Sequence, residues 1–332
     1  MLKYAVIGTS WITQFFIDGA KLDNKMQLSA VYSRSEEKGR EFALRNGVDR
    51  VFTSLEELAG SDVDAVYIAS PNSFHATQSE IMLNAGKHVL CEKPITVTPD
   101  ELVYLQNLAK KNSVIYAEAI MHMYNPARGL LAKAMERIGR ITSAHFDFSQ
   151  LSSKYPAYKN GELPNIFNPV FATGCLEDLG IYCVYPAVDY FGMPKEISAL
   201  SYFMESGADG CGSAALRYDD KHVTLTYSKL GQNRLGSQIF GDAGTITIGS
   251  ISQFTDINIV FNDGTSEKII GDVPKERLMG NEASLFADIV ADPDGYSDFY
   301  NELCDTALKT SRIMAEIRKH AGIRFDEYKE IK

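Results

Sequence analysis

The chain has 332 residues, 45% of them hydrophobic and 23% charged, which fits a globular protein long enough for two domains with separate cores. Its 33 basic and 43 acidic residues give a net charge of −10, which argues against nucleic acid or an anionic membrane as a partner. Five cysteines without a C-x-x-C pair and six scattered histidines predict reduced thiols, no metal site and a cytoplasmic location.

The first 120 residues alternate short apolar runs with amphipathic stretches. The runs have the length and composition of strands and cover residues 4–7, 28–32, 65–69, 88–91 and 114–117. Helical patterns lie between them at residues 35–46, 74–85 and 99–110. This alternation predicts βαβ units and a parallel sheet. The first strand begins almost at the first residue and no apolar run reaches membrane-spanning length, so we expect neither a signal peptide nor a span.

From about residue 140 the pattern changes to extended runs joined by short polar turns. These runs cover residues 141–150, 196–204, 212–218, 222–228, 236–240, 245–248 and 257–261. Consecutive strands of this kind predict a largely antiparallel sheet. Two helical stretches follow, at residues 282–290 and 297–321. The predicted division is an α/β domain over residues 1–120 and an α+β domain with an open sheet over residues 121–332.

The turn after the first predicted strand resembles an eroded dinucleotide-binding fingerprint. That fingerprint has glycine at all three of positions 8, 10 and 13, with alanine tolerated at the last. Here only Gly8 is retained, and Ser10 and Thr13 occupy the other two positions. Two interpretations stay open: an ordinary strand–turn–helix connection, or a pyrophosphate site formed by Gly8, Thr9, Ser10, Trp11 and Ile12.

The end of the second predicted strand bears on which dinucleotide would bind. NAD sites usually have an acid there, which binds the ribose 2′-hydroxyl, whereas a basic group accommodates the 2′-phosphate of NADP. Ser33 and Arg34 occupy this position, with Lys38 one turn further on. A guanidinium suits a phosphate, so we predict NADP, with NAD possible. The alternative is a solvated helix start.

A polar turn follows the third predicted strand. Ser70, Pro71 and Asn72 lie where a dinucleotide would pass, and His75 follows three residues later. We include all four among the candidate cofactor contacts, although a histidine at a helix start also commonly bonds to its own turn.

Glu92-Lys93-Pro94 at the end of the fourth predicted strand is the most informative motif. Open α/β sheets bind ligands at the carboxyl ends of their strands, so an ammonium there would lie at the site. The proline stops the strand and fixes the direction of the lysine side chain. We therefore assign Glu92 and Lys93 to the site, and we expect the Lys93–Pro94 peptide to be cis.

A second candidate group lies in the domain that follows. Asp178 and Tyr182 are spaced i, i+4 and would share one face of a helix. A tyrosine beside a lysine could move the hydroxyl proton that hydride transfer requires. The alternative is a half-buried aromatic residue and a helix-end acid. The segment 154–160, with two tyrosines, could stack against a sugar, or it is a plain surface loop.

Taken in order, Gly8, Pro71-Asn72 with His75, Glu92-Lys93-Pro94 and residues 178–182 resemble the Gfo/Idh/MocA oxidoreductases. Residues 179–183 are most similar to the branch with dimeric dihydrodiol dehydrogenase and NADP-dependent D-xylose dehydrogenase. The resemblance implies an N-terminal Rossmann domain, a catalytic Lys93, a helix acid at Asp178 and proton transfer by Tyr182. Met121, Met123 and Tyr124 depart from the dihydrodiol branch, so its substrate should not be inherited.

We therefore predict an NAD(P)-dependent oxidoreductase that transfers hydride to or from a sugar, a polyol or a related hydroxy or carbonyl compound. Two alternatives remain at this point: a dinucleotide-binding sensor without turnover, and another chemistry of the same family. The second domain is expected to bind substrate and to form a dimer or larger homo-oligomer, because one open sheet with few helices needs cover on its other face.

Overall fold

The structure, a computed structural model, describes residues 1–331 and divides the chain into two compact units. One unit contains Met1–Tyr124, Pro274–Leu308 and a short segment that begins at Lys329. The other contains Asn125–Val273 and Lys309–Tyr328. The sequence-based division left residues 274–308 in the second domain, whereas they belong to the first unit.

A six-stranded parallel sheet forms the centre of the first unit. Its order is β3-β2-β1-β4-β5-β6. The strands are β1 (Leu2–Ile7), β2 (Met26–Tyr32), β3 (Val51–Phe52), β4 (Ala65–Ile68), β5 (His88–Glu92) and β6 (Tyr116–Ala119). The order reverses between β1 and β4, so the switch point at which such sheets bind ligands lies beyond the carboxyl ends of these two strands. The sequence predicted five of the six strands and missed the two-residue β3.

The α-helices within residues 1–331 include most of those that the sequence predicted. They are α1 (Trp11–Ala20), α2 (Glu36–Arg45), α3 (Leu55–Ala59), α4 (His75–Asn84), α5 (Pro99–Lys111), α6 (Met121–Tyr124), α7 (Ala127–Met135), α8 (Tyr155–Lys159), α9 (Ile181–Phe191), α10 (Lys275–Ala291) and α11 (Ser297–Ala321). Ser35 caps α2 by accepting from the Lys38 N–H. Thr98 and Glu101 form a reciprocal capping box on α5, which is why the starts of both helices could be read from the sequence.

Helix α10 belongs to the first unit because it packs closely against α1. The two helices meet at Gly19 and Gly280, where a Cβ on Gly19 would lie 2.6 Å from the Gly280 nitrogen. Only glycine at this crossing lets the two backbones come so close. Sequence patterning located a helix here but could not tell which sheet it covers.

An eight-stranded sheet forms the second unit, in the order β14-β13-β12-β11-β7-β10-β9-β8. Its strands are β7 (Ile141–Ser149), β8 (Glu196–Phe203), β9 (Asp209–Arg217), β10 (His222–Ser228), β11 (Ser237–Gly241), β12 (Gly244–Ser250), β13 (Thr255–Phe261) and β14 (Ser266–Ile270). Only β7 and β10 pair in parallel among these described strands. The predicted fold class, a Rossmann domain with a largely antiparallel open sheet, is confirmed.

The segment before α9 is a π-helical turn rather than the α-helix that the sequence suggested. Leu176–Gly180 forms the π turn, and α9 begins at Ile181. Asp178 therefore lies in the π turn and Tyr182 in the first turn of α9, so the i, i+4 argument from regular helix geometry does not apply here. Single π turns occur frequently at functional sites.

The described residues contain neither a membrane-spanning helix nor a metal-binding cluster. Within residues 1–331 no helix combines the length and the apolar character that a membrane span requires. The same residues contain no group of three or more histidine, cysteine, aspartate or glutamate side chains arranged to hold a metal ion.

Candidate active site

The candidate residues form two groups, one in each unit, and each group is described by itself. In the first unit, Gly8 directly follows β1 with a φ of 111°, a conformation that favours glycine. A Cβ at this position would lie 2.5 Å from the Ala69 carbonyl oxygen at the end of β4. Gly8 is therefore required by both its backbone angle and the close approach of the neighbouring strand, at the switch point of the sheet.

The start of α1 leaves backbone donors available to an anion. Ser10 precedes the helix, and in the described chain no side chain caps this end. The Ser10 hydroxyl instead lies 3.3 Å from that of Thr13, which is fully buried. The first turn contains no acid, so its N–H groups and the positive end of the helix dipole suit a pyrophosphate. Thr9 and Ile12 are half-buried and Trp11 is exposed beside these donors.

Arg34 lies at the end of β2 with its guanidinium exposed. The guanidinium carbon is 5.4 Å from the ring centre of Phe74, in the 3₁₀ turn Asn72–Phe74 that follows β4. Ser33 accepts from the Ser35 N–H at 3.2 Å, and Lys38 is exposed on α2. A dinucleotide phosphate at this corner would meet a cation and a hydroxyl, with no carboxylate at the end of the strand.

His75 connects two loops of the first unit. Its ring is 1% exposed, with Nδ1 2.9 Å from the Pro94 carbonyl oxygen and Nε2 2.8 Å from that of Ser70. Burial lowers the pKa of the imidazole, against the raising effect of the two carbonyl oxygens. This geometry favours a positioning role over the direct cofactor contact expected from the sequence. Ser70, Pro71 and Asn72 are half-buried on the turn that the ring supports.

Lys93 follows β5 directly and is half-buried. The Lys93–Pro94 peptide is cis, as predicted. Glu92 accepts from the Tyr67 hydroxyl at 2.5 Å. Burial raises the pKa of the Glu92 carboxyl, against the lowering effects of the Tyr67 hydrogen bond and the Lys93 charge. Glu92 is thus bonded to Tyr67 of β4, and Lys93 is the first residue of the loop after β5.

Two residues of α10 join this group and were missed by sequence reasoning. The Lys275 ammonium lies 4.3 Å from the ring centre of Trp11, and burial lowers its pKa. Burial, and then the neighbouring Glu92, raise the pKa of Glu282 well above its usual range. Neither residue stands near a recognisable motif, so only the packing of α10 against α1 could have revealed them.

In the second unit, Tyr182 projects from the start of α9. Its ring packs edge-on against Phe148 of β7, with ring centres 5.4 Å apart. The side chain is half-buried. An aromatic wall on one side and partial exposure leave the residue suited to proton transfer with a small molecule.

Asp178 forms an ion pair with a residue that the sequence analysis did not single out. Its Oδ2 lies 2.9 Å from the Nζ of Lys229, whose side chain is 2% exposed, whereas the Asp178 side chain is 36% exposed. Lys229 follows β10, so it shares with Lys93 the position of a lysine at the end of a strand. That shared position was the signal that could have identified it.

Three successive residues of the π turn are held by polar side chains from distant parts of the second unit. The Leu176 N–H donates to Asp209 at 2.7 Å, Glu177 pairs with Arg318 at 2.5 Å, and Asp178 pairs with Lys229. Burial raises the pKa of Asp209 to about 6. These contacts fix the backbone that presents Asp178, and no local sequence pattern indicates them.

The aromatic side chains before the π turn pack against one another, and one of them, Tyr158, has a structural role. The rings of Tyr155 and Tyr158 contact Phe167, with centres 6.3 and 5.3 Å apart. The Tyr158 hydroxyl accepts from the Ser206 N–H at 3.0 Å. Phe167 in turn lies 5.5 Å below the Lys229 ammonium. This cluster therefore extends to the partner of Asp178.

Family models match both parts of the chain. Residues 2–120 match the oxidoreductase family model with an NAD-binding Rossmann fold, and residues 127–247 match a GFO/IDH/MocA C-terminal domain. The chain belongs to the Gfo/Idh/MocA oxidoreductase family. The family resemblance and the predicted class, an NAD(P)-dependent oxidoreductase, are thereby confirmed.

Individual relatives cover from 66% to 97% of the chain. The scyllo-inositol 2-dehydrogenase (NADP+) IolU of Bacillus subtilis is 38% identical over 97% of this chain and 98% of its own. D-xylose 1-dehydrogenase (NADP+) 2 of Haloferax volcanii, from the predicted branch, is 28% identical over 66% of each chain. The structure of KijD10, a 3-ketoreductase from Actinomadura kijaniata solved with NADP and TDP-benzene, superimposes with a TM-score of 0.85 at 21% identity, covering 96% of this chain and 98% of that one. This last likeness shows the fold alone.

Proposed function

We propose that the protein is an NADP-dependent dehydrogenase that oxidises a hydroxyl group of a polyol or sugar and reduces the corresponding carbonyl. The observation that carries the proposal is Lys93, half-buried and immediately after a strand that ends beside the switch point of a Rossmann sheet. The 38% identity to a scyllo-inositol dehydrogenase supports a cyclic polyol or sugar as the substrate class.

Each catalytic residue has a separate role in this proposal. Lys93 polarises and orients the substrate oxygen, and Tyr182 takes up or returns the hydroxyl proton. Asp178 positions the substrate or the tyrosine. The nicotinamide supplies the hydride acceptor or donor when it is bound, so the protein needs only to orient the substrate and to move one proton.

The preference for NADP is proposed from the corner at the end of β2. An exposed guanidinium with a neighbouring serine hydroxyl suits a phosphate, and an acid that would bind a free ribose hydroxyl is missing from residues 31–35. The uncapped first turn of α1 supports pyrophosphate binding at the same edge of the sheet. Two relatives are NADP-dependent by name.

The aromatic cluster of Tyr155, Tyr158 and Phe167 supports a polyhydroxylated substrate. Aromatic faces pack against the apolar C–H face of sugars, and the Asp178 carboxylate beside the cluster can accept hydrogen bonds from hydroxyl groups. The Tyr158 hydroxyl already has a backbone partner and the Phe167 ring is fully buried, so we propose that the half-buried Tyr155 supplies the stacking surface.

A substrate screen tests the function directly. The purified protein is incubated with a panel of inositols, aldoses and open-chain polyols, each with NADP+ and with NAD+, and reduced nicotinamide is followed by its absorbance. We expect turnover with at least one cyclic polyol or aldose, and a higher kcat/KM with NADP+. Tight NADPH binding without turnover across the panel would contradict the proposal and favour a sensor.

We also propose that the protein works as a homo-oligomer in the cytoplasm. The open sheet of the second unit supports the homo-oligomer, because one sheet with few helices needs cover on its other face. The cytoplasmic location is proposed from the odd number of cysteines and the lack of a C-x-x-C pair in the sequence.

A further inference from the structure

Lys229 is a buried cation next to a candidate catalytic acid. Its ammonium donates to the Ile166 carbonyl oxygen at 3.2 Å and pairs with Asp178 at 2.9 Å. The ring of Phe167 lies 5.5 Å from the same ammonium. All three partners belong to the second unit, and the lysine side chain has almost no contact with solvent.

The backbone around Lys229 is fixed as firmly as its side chain. The Lys229 N–H donates to the Gly210 carbonyl, and the Lys229 carbonyl accepts from the Ser152 N–H, both at 2.9 Å. The ammonium therefore points at Asp178 from a rigid part of the sheet. A charge in such a position is destabilising by several kcal/mol unless an opposite charge compensates it. Asp178 is the carboxylate in direct contact with it.

We infer that Lys229 is a positioning residue of the reaction, whose ammonium holds Asp178 in its ionised form and in a single orientation. This inference rests on the proposed function, in which Asp178 acts on the substrate or on Tyr182. An ionised carboxylate only accepts hydrogen bonds. Lys229 therefore makes Asp178 an acceptor for a group such as a substrate hydroxyl, and prevents it from acting as a hydrogen-bond donor.

Other titratable groups surround the ion pair of Lys229 and Asp178. Asp209 is influenced by the Lys229 charge, but its hydrogen bond goes to the Leu176 N–H. Glu177 is paired with Arg318. Burial raises the pKa of the Cys175 thiol and keeps it neutral. Asp178 is thus the acid whose charge responds most directly to removal of Lys229.

The kinetic test uses Lys229→Met, Lys229→Arg, Asp178→Asn and the double variant Asp178→Asn with Lys229→Met. We expect Lys229→Met to lower kcat about tenfold or more and to shift the acidic limb of kcat/KM upwards by about one pH unit, with NADPH affinity unchanged. Lys229→Arg should recover most of the loss. The double variant should be no worse than Asp178→Asn alone, because the lysine acts through the acid.

Lys221→Met is the matched control. Lys221 also lies in the second unit, pairs with Asp220 and packs over the ring of Phe191. The Lys221→Met variant should have the kcat and the pH profile of the wild type. If Lys229→Met leaves both unchanged as well, or if its loss adds fully to that of Asp178→Asn, the inference is wrong. If Lys229→Met does not fold, Lys229→Arg is compared with the wild type. A large loss of kcat with a shifted acidic limb in folded Lys229→Arg, which retains the positive charge, would show that the inference is wrong.

A measurement without turnover separates this inference from the proposed function. The Asp178 carboxyl carbon is titrated by NMR in the full protein and assigned by its disappearance in Asp178→Asn. We expect its pKa to rise by about one unit or more when Lys229 is replaced by Met. An unchanged pKa would overturn the role of Lys229 even in an active enzyme. A raised pKa in a protein that turns over no substrate would instead support the pairing and contradict the proposed function.

Discussion

Burial decides what each of the two strand-end lysines can do. Lys93 is half-buried after β5, so part of its side chain reaches the surface, where a ligand could contact it. Lys229 is 2% exposed after β10, and its donors are directed to Asp178 and to the Ile166 carbonyl. The first lysine can act on a substrate, whereas the second acts through its neighbour.

Replacing Lys93 by alanine or Tyr182 by phenylalanine should lower kcat by about 10²- to 10⁴-fold each, the range expected for groups that polarise a substrate or move its proton. The combined variant should lose much less than the product of the two effects if both serve one reaction step. Steady-state kinetics of the three variants tests this. NADPH affinity, measured by titration, serves as the control and should be unaffected in Tyr182→Phe.

Arg34→Ala should raise the KM for NADP+ far more than the KM for NAD+. A charge-assisted hydrogen bond to phosphate is worth roughly 1.5–3 kcal/mol, or about tenfold to a hundredfold in affinity. Lys111→Ala, at the exposed end of α5 and outside the proposed site, gives a comparison for the general effect of lost positive charge. Equal changes with the two cofactors would mean that Arg34 does not recognise the 2′-phosphate.

Among the elements, the π turn Leu176–Gly180 depends most on distant residues. Asp209, Lys229 and Arg318 hold its first three residues, and they come from β9, the end of β10 and α11. Sequence reasoning located Asp178 and Tyr182 through their motif, yet it treated the segment as an ordinary helix. The helix type and its three partners could not be predicted, because they result from tertiary contacts rather than from local spacing.

Asp209 should make the stability of the protein depend on pH. Its pKa is raised from 3.8 to about 6 by burial, so the folded state binds the proton more tightly than the unfolded state. Its stabilising contribution is therefore present below about pH 4 and is lost as the pH rises through 6. Relative to Asp209→Asn, the wild-type free energy of unfolding should fall by about 2 kcal/mol between pH 4 and pH 7.

Urea unfolding at several pH values checks this expectation. Glu205→Gln replaces an exposed carboxylate of the same unit and provides the control. If the wild type and Asp209→Asn show parallel stability curves between pH 4 and pH 7, the buried carboxyl is not the group responsible.

At the scale of the whole molecule, the order of helices and strands could largely be predicted from the sequence. Alternating apolar runs and capping residues predicted five of the six strands in the first sheet and seven of the eight in the second. The short β3 and the polar β14 escaped, because neither has enough apolar residues to produce a pattern. The return of α10 to the first unit depends on the contact between Gly19 and Gly280, which periodicity cannot reveal.

A homo-oligomer should form on the outward face of the eight-stranded sheet. Along β10, the side chains of Val223, Leu225 and Tyr227 are fully buried on one face, and the alternate residues form the other face. An interface of a permanent oligomer commonly buries more than about 2,000 Å². Light scattering at micromolar concentration should therefore give at least twice the chain mass of 36.8 kDa, and a monomer mass would contradict the proposal.

Trp11 is the only tryptophan of the chain, and it lies exposed at the first residue of α1 under the Lys275 ammonium. All indole emission of the protein therefore comes from one position, beside the backbone donors suited to a pyrophosphate. The molecule thus carries an intrinsic optical probe at that turn. Arrival of a dinucleotide there can be followed in real time in the unlabelled wild-type protein, independently of any substrate.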